Sequence, residues 1–142
     1  SGTIACFAYA YCNAFGGPVG VDPRKLQLWL IGVFLGHFGC CIGDTWASEC
    51  GTALSGTLAR PFLVTTLRPV HSGTNGGMSV VGTVASAVGG LSLGLCFWFL
   101  AKTQFRNFVD ASLCLGLSTL FGFGGSLLDS ILGATVQFSG FS

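Results

Sequence analysis

Charged residues are scarce in this sequence of 142 residues: Lys, Arg, Asp and Glu make up 8%, against about a quarter in soluble domains. Apolar residues make up 51% and the mean hydropathy is +0.73, so polar side chains are too few to cover a surface in water. The net charge is only +1 and no basic patch occurs, which gives no basis for binding nucleic acid. The composition predicts an integral membrane protein with the lipid bilayer as its solvent.

Cysteine patterns typical of metal sites or disulfide frameworks are also missing, although the chain contains seven cysteines. No CxxC pair occurs, and the adjacent residues Cys40 and Cys41 would point in different directions on a helix. Most of the cysteines lie within apolar runs. We interpret them as small apolar packing residues.

Long apolar runs predict three complete membrane spans and part of a fourth. Residues 26–42 and 77–101 contain no charged side chain, and a last span runs from about residue 111 to residue 136. Their lengths are close to the roughly 20 apolar residues that cross a bilayer. Residues 1–15 are apolar but short, and we interpret them as the end of a helix that begins upstream.

Small residues recur at intervals of four in the last two spans, which puts them on one face of each helix. They are Gly82, Ser86, Gly90 and Gly94 in one span, and Ser118, Gly122, Ser126, Ser130 and Ala134 in the other. Such stripes let neighbouring helices approach closely. We predict a single all-α domain over residues 1–142, a polytopic membrane bundle of three to four spans with a polar stretch between the second and third.

That polar stretch begins with a run of hydroxyl and carboxylate side chains. If a helix starts at Asp44 as its N-cap, one arc of the helix carries Asp44, Thr45, Ser48, Glu49 and Thr52. Oxygen ligands of this kind suit Mg²⁺, which takes one or two carboxylates plus phosphates of a substrate. The same pattern is typical of an amphipathic helix at the membrane surface, so both interpretations stay open.

A glycine-rich segment, residues 69–77, ends the polar stretch and leads into the next span. Exposed N–H groups of glycines and a helix N-terminus can cradle a phosphate, although no Gly-Lys-Ser/Thr follows as in a Walker A loop. Arg60 and Arg68 flank the segment and can pair with phosphate oxygens, or can reach lipid headgroups. A plain turn into a membrane helix is the alternative.

Asp129 lies deep in the last span, where a carboxylate facing lipid would cost about 3 kcal/mol or more. We therefore expect Asp129 to face the bundle interior or a polar cavity. Together with Asp44, Glu49, the two arginines and the glycine-rich segment, it predicts a phosphate-handling site. In such a site, metal and arginine charges neutralise the transferred group.

Several segments resemble one membrane family in order and spacing. They are GDTWASE at 43–49, LVTT at 63–66, GTNGG at 73–77, GSLLDS at 125–130 and LGAT at 132–135. The family includes human transmembrane protein nineteen and the plant phytyl-phosphate kinase of vitamin E synthesis, and the resemblance covers roughly residues 38–140. The Gly-Asp-Thr-x-Ala-Ser portion is also similar to CTP-using polyprenol kinases and phosphatidate cytidylyltransferases.

The resemblance implies a phosphotransferase that uses Mg²⁺ and CTP, ATP or another nucleoside triphosphate, and acts on an isoprenoid monophosphate such as phytyl phosphate. By carry-over, Asp44, Glu49 and Asp129 would bind magnesium or position the nucleotide phosphates. The phosphate site would be lined by Thr45, Ser48, Gly73, Thr74, Asn75, Gly76 and Gly77. A plastid or endomembrane location is suggested by the resemblance and by the missing initiator methionine.

The chain departs from the family just before GTNGG, where a basic-Val-Pro sequence is usual and this chain has Arg68-Pro69-Val70-His71-Ser72. Family members also extend beyond both ends of this chain, with further membrane helices. The alternative function is therefore a catalytically inactive structural subunit held by other subunits of a membrane complex. A small transporter that depends on Asp129 is a third hypothesis.

Overall fold

The computed structural model describes residues 22–54, 60–71, 74, 76–104 and 110–136. Three long helices make up most of this part of the chain: α1 (Pro23–Ala53), α2 (Val80–Gln104) and α3 (Ala111–Val136). Two short strands, β1 (Phe62–Leu63) and β2 (Gly77–Met78), pair antiparallel between α1 and α2. Each helix packs against the other two, which confirms the all-α bundle predicted from the sequence.

Each helix is long and apolar enough to cross a bilayer. The candidate spans are Lys25–Ala53, Val80–Ala101 and Ala111–Val136, with 29, 22 and 26 residues. These lengths exceed the roughly 20 residues that a span requires. The prediction of three complete spans is confirmed, and the partial span predicted at residues 1–15 lies outside the described residues.

Helix α1 runs without a break through Gly43 and Asp44 to Ala53, so the prediction that a helix starts at Asp44 is wrong. Gly43 is a packing residue and not a helix end, because a Cβ at this position would overlap the main chain of Gly122 on α3. The 31 residues of α1 extend over about 46 Å, more than the roughly 30 Å of a hydrocarbon core. The polar last turns of α1 can therefore lie at the membrane boundary.

Helix α2 begins at Val80, three residues later than the span predicted from residue 77. Gly77 and Met78 pair with β1 instead, and Ser79 caps the helix. The Ser79 Oγ accepts a hydrogen bond of 3.0 Å from the main-chain N–H of Gly82. A serine in this position satisfies one of the N–H groups that a helix start leaves without a partner in the helix.

Small residues, and few large ones, fill the helix crossings. The α2 stripe of Gly82, Ser86, Gly90 and Gly94 is buried throughout, as the sequence predicted. A Cβ at Gly90 would overlap the Ser118 carbonyl, and the buried Ser118 hydroxyl donates to the Cys114 carbonyl (2.7 Å). The short side chains let the helix backbones come nearly into contact.

The apolar core lies at one end of the bundle. Ile31, Leu35 and Cys114 form its buried centre, surrounded by Phe34, Leu93, Phe97, Trp98 and Leu117. These residues come from the first half of α1, the second half of α2 and the first half of α3. The other end, the connection end, carries the described residues of the connection between α1 and α2: 54, 60–71, 74 and 76–79.

Candidate functional site

A polar cleft of about 240 Å³ lies among the three helices at the connection end. All three helices and the connection contribute to its wall. The polar side chains of the lining are Asp44, Ser48, Thr52, His71, Thr74, Ser79, Thr83, Ser126, Asp129 and Ser130. Gly51, Gly76, Gly77, Gly82 and Gly133 add stretches of wall without side chains.

Asp44 on α1 and Asp129 on α3 line this cleft together. The helix crossing brings them together, because α1 and α3 are in contact at Gly43, next to Asp44, and at Gly122 and Gly125, two turns and one turn before Asp129. A Cβ at Gly43 would overlap Gly122, and a Cβ at Gly125 would overlap the side chain of Cys40. Two carboxylates that are far apart in sequence therefore share one polar space.

Several hydroxyl groups of the lining already donate their hydrogen to the main chain. The Thr52 and Thr83 hydroxyls donate to the carbonyls of Ser48 (2.7 Å) and Ser79 (2.9 Å). The Ser48 hydroxyl donates to the Thr45 carbonyl at 2.9 Å. A hydroxyl used in this way keeps its oxygen lone pairs as acceptors. With two carboxylates beside them, these oxygens make the cleft suitable for a hard cation.

The connection forms the outer wall of the cleft through a small hairpin. The Leu63 N–H donates to the Arg68 carbonyl (2.9 Å), the Val70 N–H donates to the Pro61 carbonyl (2.9 Å), and Phe62 bridges to Pro69. β2 then pairs with β1, with Leu63 opposite Gly77. This hairpin holds His71, Thr74, Gly76 and Gly77 beside the helices.

Gly76 joins the connection to α3. Its φ of +75° lies in the left-handed region, which glycine adopts without the steric cost of a side chain. A Cβ at Gly76 would also overlap the main chain and side chain of Ala134 on α3. Both the backbone conformation and the close approach therefore require glycine at this position.

The structure brings six of the predicted site residues together in the cleft: Asp44, Ser48, Thr74, Gly76, Gly77 and Asp129. Thr45, Glu49, Arg60 and Arg68 are described but exposed, and they are not part of the lining. Asp44 and Ser48 are four residues apart and share a helix face, whereas Thr45 and Glu49 lie about 100° further round the helix. Gly73 and Asn75 lie outside the described residues.

Metal-binding geometry in the described part of the chain rests on the aspartate pair. No group of three or more His, Cys, Asp and Glu side chains among the described residues could hold a metal ion. Glu49 is exposed on α1 and does not join Asp44 and Asp129. Asp44 and Asp129, with neighbouring hydroxyl oxygens, are the groups available in the cleft for a cation.

Sequence reasoning assigned Ser126 and Ser130 to a packing stripe and did not predict them as site residues. In the structure they line the cleft beside Asp129. The available signal was the helical spacing, because Ser126 is three residues before Asp129 and four before Ser130, so Ser126 shares a side of α3 with each of them. Ser79 and Thr83 were also not predicted, and no sequence pattern links them to either aspartate. His71 lies within the segment 69–77 that was predicted to cradle a phosphate, but it was not named as a site residue.

Comparison with known proteins gives relatives in plants, bacteria and archaea. Over 116 residues the chain is 47% identical to Protein PGR of Arabidopsis thaliana, covering 79% of this chain and 39% of that protein. It is 35% identical over 119 residues to an uncharacterized membrane protein of Synechocystis sp., covering 84% of this chain and 42% of that protein. It is 30% identical over 112 residues to an uncharacterized membrane protein of Methanocaldococcus jannaschii, covering 79% of this chain and 42% of that protein.

The chain spans about two fifths of the length of these relatives. No solved structure matches it significantly. The names of the three relatives describe no kinase activity, so the expected link to isoprenoid phosphates remains a proposal. Residues 1–142 match the family described as integral membrane protein DUF92. With this match over the whole sequence and three membrane-spanning helices in the structure, the chain belongs to the DUF92 family of integral membrane proteins.

Proposed function

We propose that the cleft is the active site of a phosphotransferase that moves a phosphoryl group from CTP or another nucleoside triphosphate to an isoprenoid monophosphate. The observation that carries the proposal is the meeting of Asp44 and Asp129 in one hydroxyl-lined cleft of a membrane bundle. Phosphoryl transfer needs little covalent chemistry from the protein and depends on positioning and on neutralising phosphate charge. Paired carboxylates beside a glycine-lined wall suit that task.

The aspartate pair fits Mg²⁺, which is usually held by one or two protein carboxylates together with substrate phosphates and water. Asp44 and Asp129 would hold the ion, and hydroxyl oxygens such as that of Ser48 border the same space. When bound, Mg²⁺ would supply positive charge that neutralises the phosphates. Glu49 is outside the lining, so the proposal assigns the metal to the two aspartates.

The start of α2, beside the connection, would hold the phosphates. Gly76 and Gly77 line the cleft as main chain, but Ala134 and the Thr74 carbonyl fill the space beside them and the Gly77 N–H already donates to that carbonyl (2.9 Å). The N–H groups for a phosphate would therefore come from the start of α2. Helix α2 begins at Val80, immediately after Ser79 in the cleft wall. The partial positive charge of a helix N-terminus favours an anion there.

The position of the cleft suits a lipid phosphate. It lies toward the connection end of a bundle whose helices are long enough to cross the bilayer. The proposal requires this end of the bundle to lie where lipid headgroups meet water. The surfaces near this end remain apolar, since Val84 on α2 and Leu128 and Leu132 on α3 are exposed. An isoprenoid tail can lie in the bilayer against these surfaces while its phosphate enters the cleft.

A transfer assay tests the proposal directly. The purified chain in detergent micelles is incubated with Mg²⁺, labelled CTP or ATP, and phytyl or geranylgeranyl monophosphate. We expect label in a lipid diphosphate with the unaltered chain and none with Asp44→Asn. If the unaltered chain neither transfers label nor binds Mg²⁺–nucleotide, the phosphotransferase proposal is wrong.

A second candidate is a structural subunit of a larger membrane complex, favoured by one observation. Close helix packing alone explains the buried small residues, such as Gly90 and Ser118, without any chemistry. In that case the cleft would be a remnant with no affinity for Mg²⁺–nucleotide. Recovery of the chain in a stable complex, together with no nucleotide binding by that complex, would support the structural role.

A further inference from the structure

The buried serines of the bundle differ in whether their hydroxyl groups have a hydrogen-bond partner. The buried polar side chains among the described residues are Ser79, Ser86, Ser118 and Ser126. Ser86 and Ser118 donate to the carbonyls of Thr83 (2.8 Å) and Cys114 (2.7 Å), and the Ser79 oxygen accepts from the Gly82 N–H (3.0 Å). No hydrogen bond joins the Ser126 hydroxyl to another described residue, although Ser126 is only 7% exposed.

Most of the other polar side chains in the cleft lining already have partners. The hydroxyls that donate to a main-chain carbonyl are those of Ser48, Thr52, Thr74 and Thr83. His71 also has an interaction of its own. Ser130 has no hydrogen bond to a described residue, but it is only half-buried, so water can reach its hydroxyl. In the described lining, Ser126 is therefore the buried hydroxyl that lacks a protein partner.

The cleft is the place where a partner of Ser126 can lie. A buried hydroxyl without a hydrogen bond destabilises a fold, so such groups are usually paired with a ligand or an ordered water. Among the described residues, the side-chain oxygen that is fully enclosed without a partner belongs to Thr119 and not to Ser126. Ser126 is a lining residue of the cleft, so its oxygen opens onto that space.

The position of Ser126 on α3 favours a cation as that partner. Ser126 precedes Asp129 by three residues, a spacing that makes two side chains neighbours on a helix surface. Asp44 borders the same cleft from α1. A serine oxygen has lone pairs for a cation, and hydroxyl ligands of Mg²⁺ occur in nucleotide-binding loops. The feature that suits an anion lies on a different helix, at the start of α2.

We propose that the Ser126 hydroxyl oxygen is a third protein ligand of the divalent cation that the cleft binds, beside the carboxylates of Asp44 and Asp129. This inference rests on the proposed function, because it presumes a cation at the aspartate pair. An octahedral Mg²⁺ with these three oxygen ligands would keep its other positions for phosphate oxygens and water. The proposal narrows the hydroxyl ligands of the cation to one residue on α3.

Binding of Mn²⁺, which takes the same kinds of oxygen ligand as Mg²⁺, tests the proposal without any measurement of activity. The purified chain in detergent micelles is titrated with Mn²⁺, with and without inorganic pyrophosphate, and free Mn²⁺ is measured by electron paramagnetic resonance. Ser126→Ala should weaken Mn²⁺ binding about tenfold, as the loss of a metal-site partner typically does. Ser118→Ala is the matched control and should leave the affinity unchanged, because Ser118 is a buried serine of the same stripe outside the lining.

Ser126→Cys separates a metal ligand from a residue that only fills space. The thiol is close in size to the hydroxyl but is a softer donor, which favours a soft cation such as Cd²⁺ over Mn²⁺. We expect weaker binding of Mn²⁺ and tighter binding of Cd²⁺ than in the unaltered chain, whose seven native cysteines give the background.

Four outcomes would overturn the assignment of Ser126. Two are unchanged Mn²⁺ affinity in Ser126→Ala and an equal loss in Ser118→Ala. The third is a loss that occurs only with pyrophosphate, which would make Ser126 a contact of the anion. The fourth is a Ser126→Cys variant with no gain in Cd²⁺ affinity. Equal thermal unfolding midpoints of Ser126→Ala and the unaltered chain would show that a loss of affinity is not a loss of fold.

The same titration separates this inference from the proposed function. If Asp44→Asn abolishes Mn²⁺ binding while Ser126→Ala does not weaken it, the aspartate site stands and the role of Ser126 is overturned. If the unaltered chain binds no Mn²⁺, with or without pyrophosphate, both proposals are overturned.

Discussion

Gly43 on α1 lies directly against the main chain of Gly122 on α3, so that a Cβ at position 43 would overlap the Gly122 carbonyl. Asp44 follows this contact immediately, and Asp129 lies two turns beyond Gly122 on α3. The separation of the two carboxylates therefore depends on how closely the helices pack at this crossing. Stability and chemistry are linked there, since a side chain at the contact would push α1 and α3 apart.

The crossing predicts a difference between two identical substitutions in α1. Gly43→Ala should lower the free energy of unfolding by about 1–3 kcal/mol, because the added methyl group has no space. Gly32→Ala has nothing within 4 Å of the added Cβ and should be neutral or slightly stabilising, since alanine favours a helix more than glycine. Unfolding in mixed micelles, followed by circular dichroism, compares them. Equal effects of the two substitutions would contradict the packing role of Gly43.

Gly76→Ala should loosen the connection. Alanine at a φ of +75° is strained by roughly 1–2 kcal/mol, and its methyl group would also overlap Ala134. We expect faster amide hydrogen exchange in residues 61–78 and weaker ligand binding in the cleft. Gly124→Ala on α3 is the matched control, because a Cβ there meets nothing within 4 Å. Unchanged exchange in the Gly76 variant would mean that the connection is not held through this contact.

Asp129→Asn should abolish phosphoryl transfer while leaving the fold intact. The amide has nearly the same shape but no negative charge for a cation, so we expect a loss of at least about a hundredfold in rate with an unchanged unfolding midpoint. Asp110→Asn is the control. Asp110 is exposed immediately before α3, its carbonyl accepts from the Cys114 N–H (3.2 Å), and asparagine caps a helix as well as aspartate. Full turnover by Asp129→Asn would remove Asp129 from the mechanism.

Ser79→Ala should destabilise the start of α2 by about 1 kcal/mol, because the Gly82 N–H loses its side-chain acceptor. The control is Ser92→Ala in the middle of the same helix. The Ser92 hydroxyl only donates to the Gly89 carbonyl one turn back (2.7 Å), a bond that gives a helix no net stability. Thermal unfolding followed by tryptophan fluorescence compares the two variants. A larger loss for Ser92→Ala would show that the cap is not the important interaction.

The sequence alone was sufficient for the membrane class, the number of complete spans and the buried faces of α2 and α3. These properties are local. The length of an apolar run can be read directly from the sequence, and small residues at every fourth position lie on one helix face. The last span was predicted at residues 111–136 and is observed as Ala111–Val136. Asp129 was expected to face the bundle interior or a polar cavity; it lines the cleft, and its side chain is exposed there.

Only the tertiary structure decided which polar residues meet. Gly43 has the same sequence signature whether it ends a helix or packs against another, and the neighbouring backbone of Gly122 makes it a packing residue. Because α1 therefore continues, Asp44 and Ser48 line the same cleft as Asp129, whereas Glu49, the residue after Ser48, lies about 100° further round the helix and outside the lining. His71 lines the cleft because the hairpin of the connection folds back onto the helices. Contacts between residues distant in sequence depend on helix crossings and chain reversals, and local spacing contains neither.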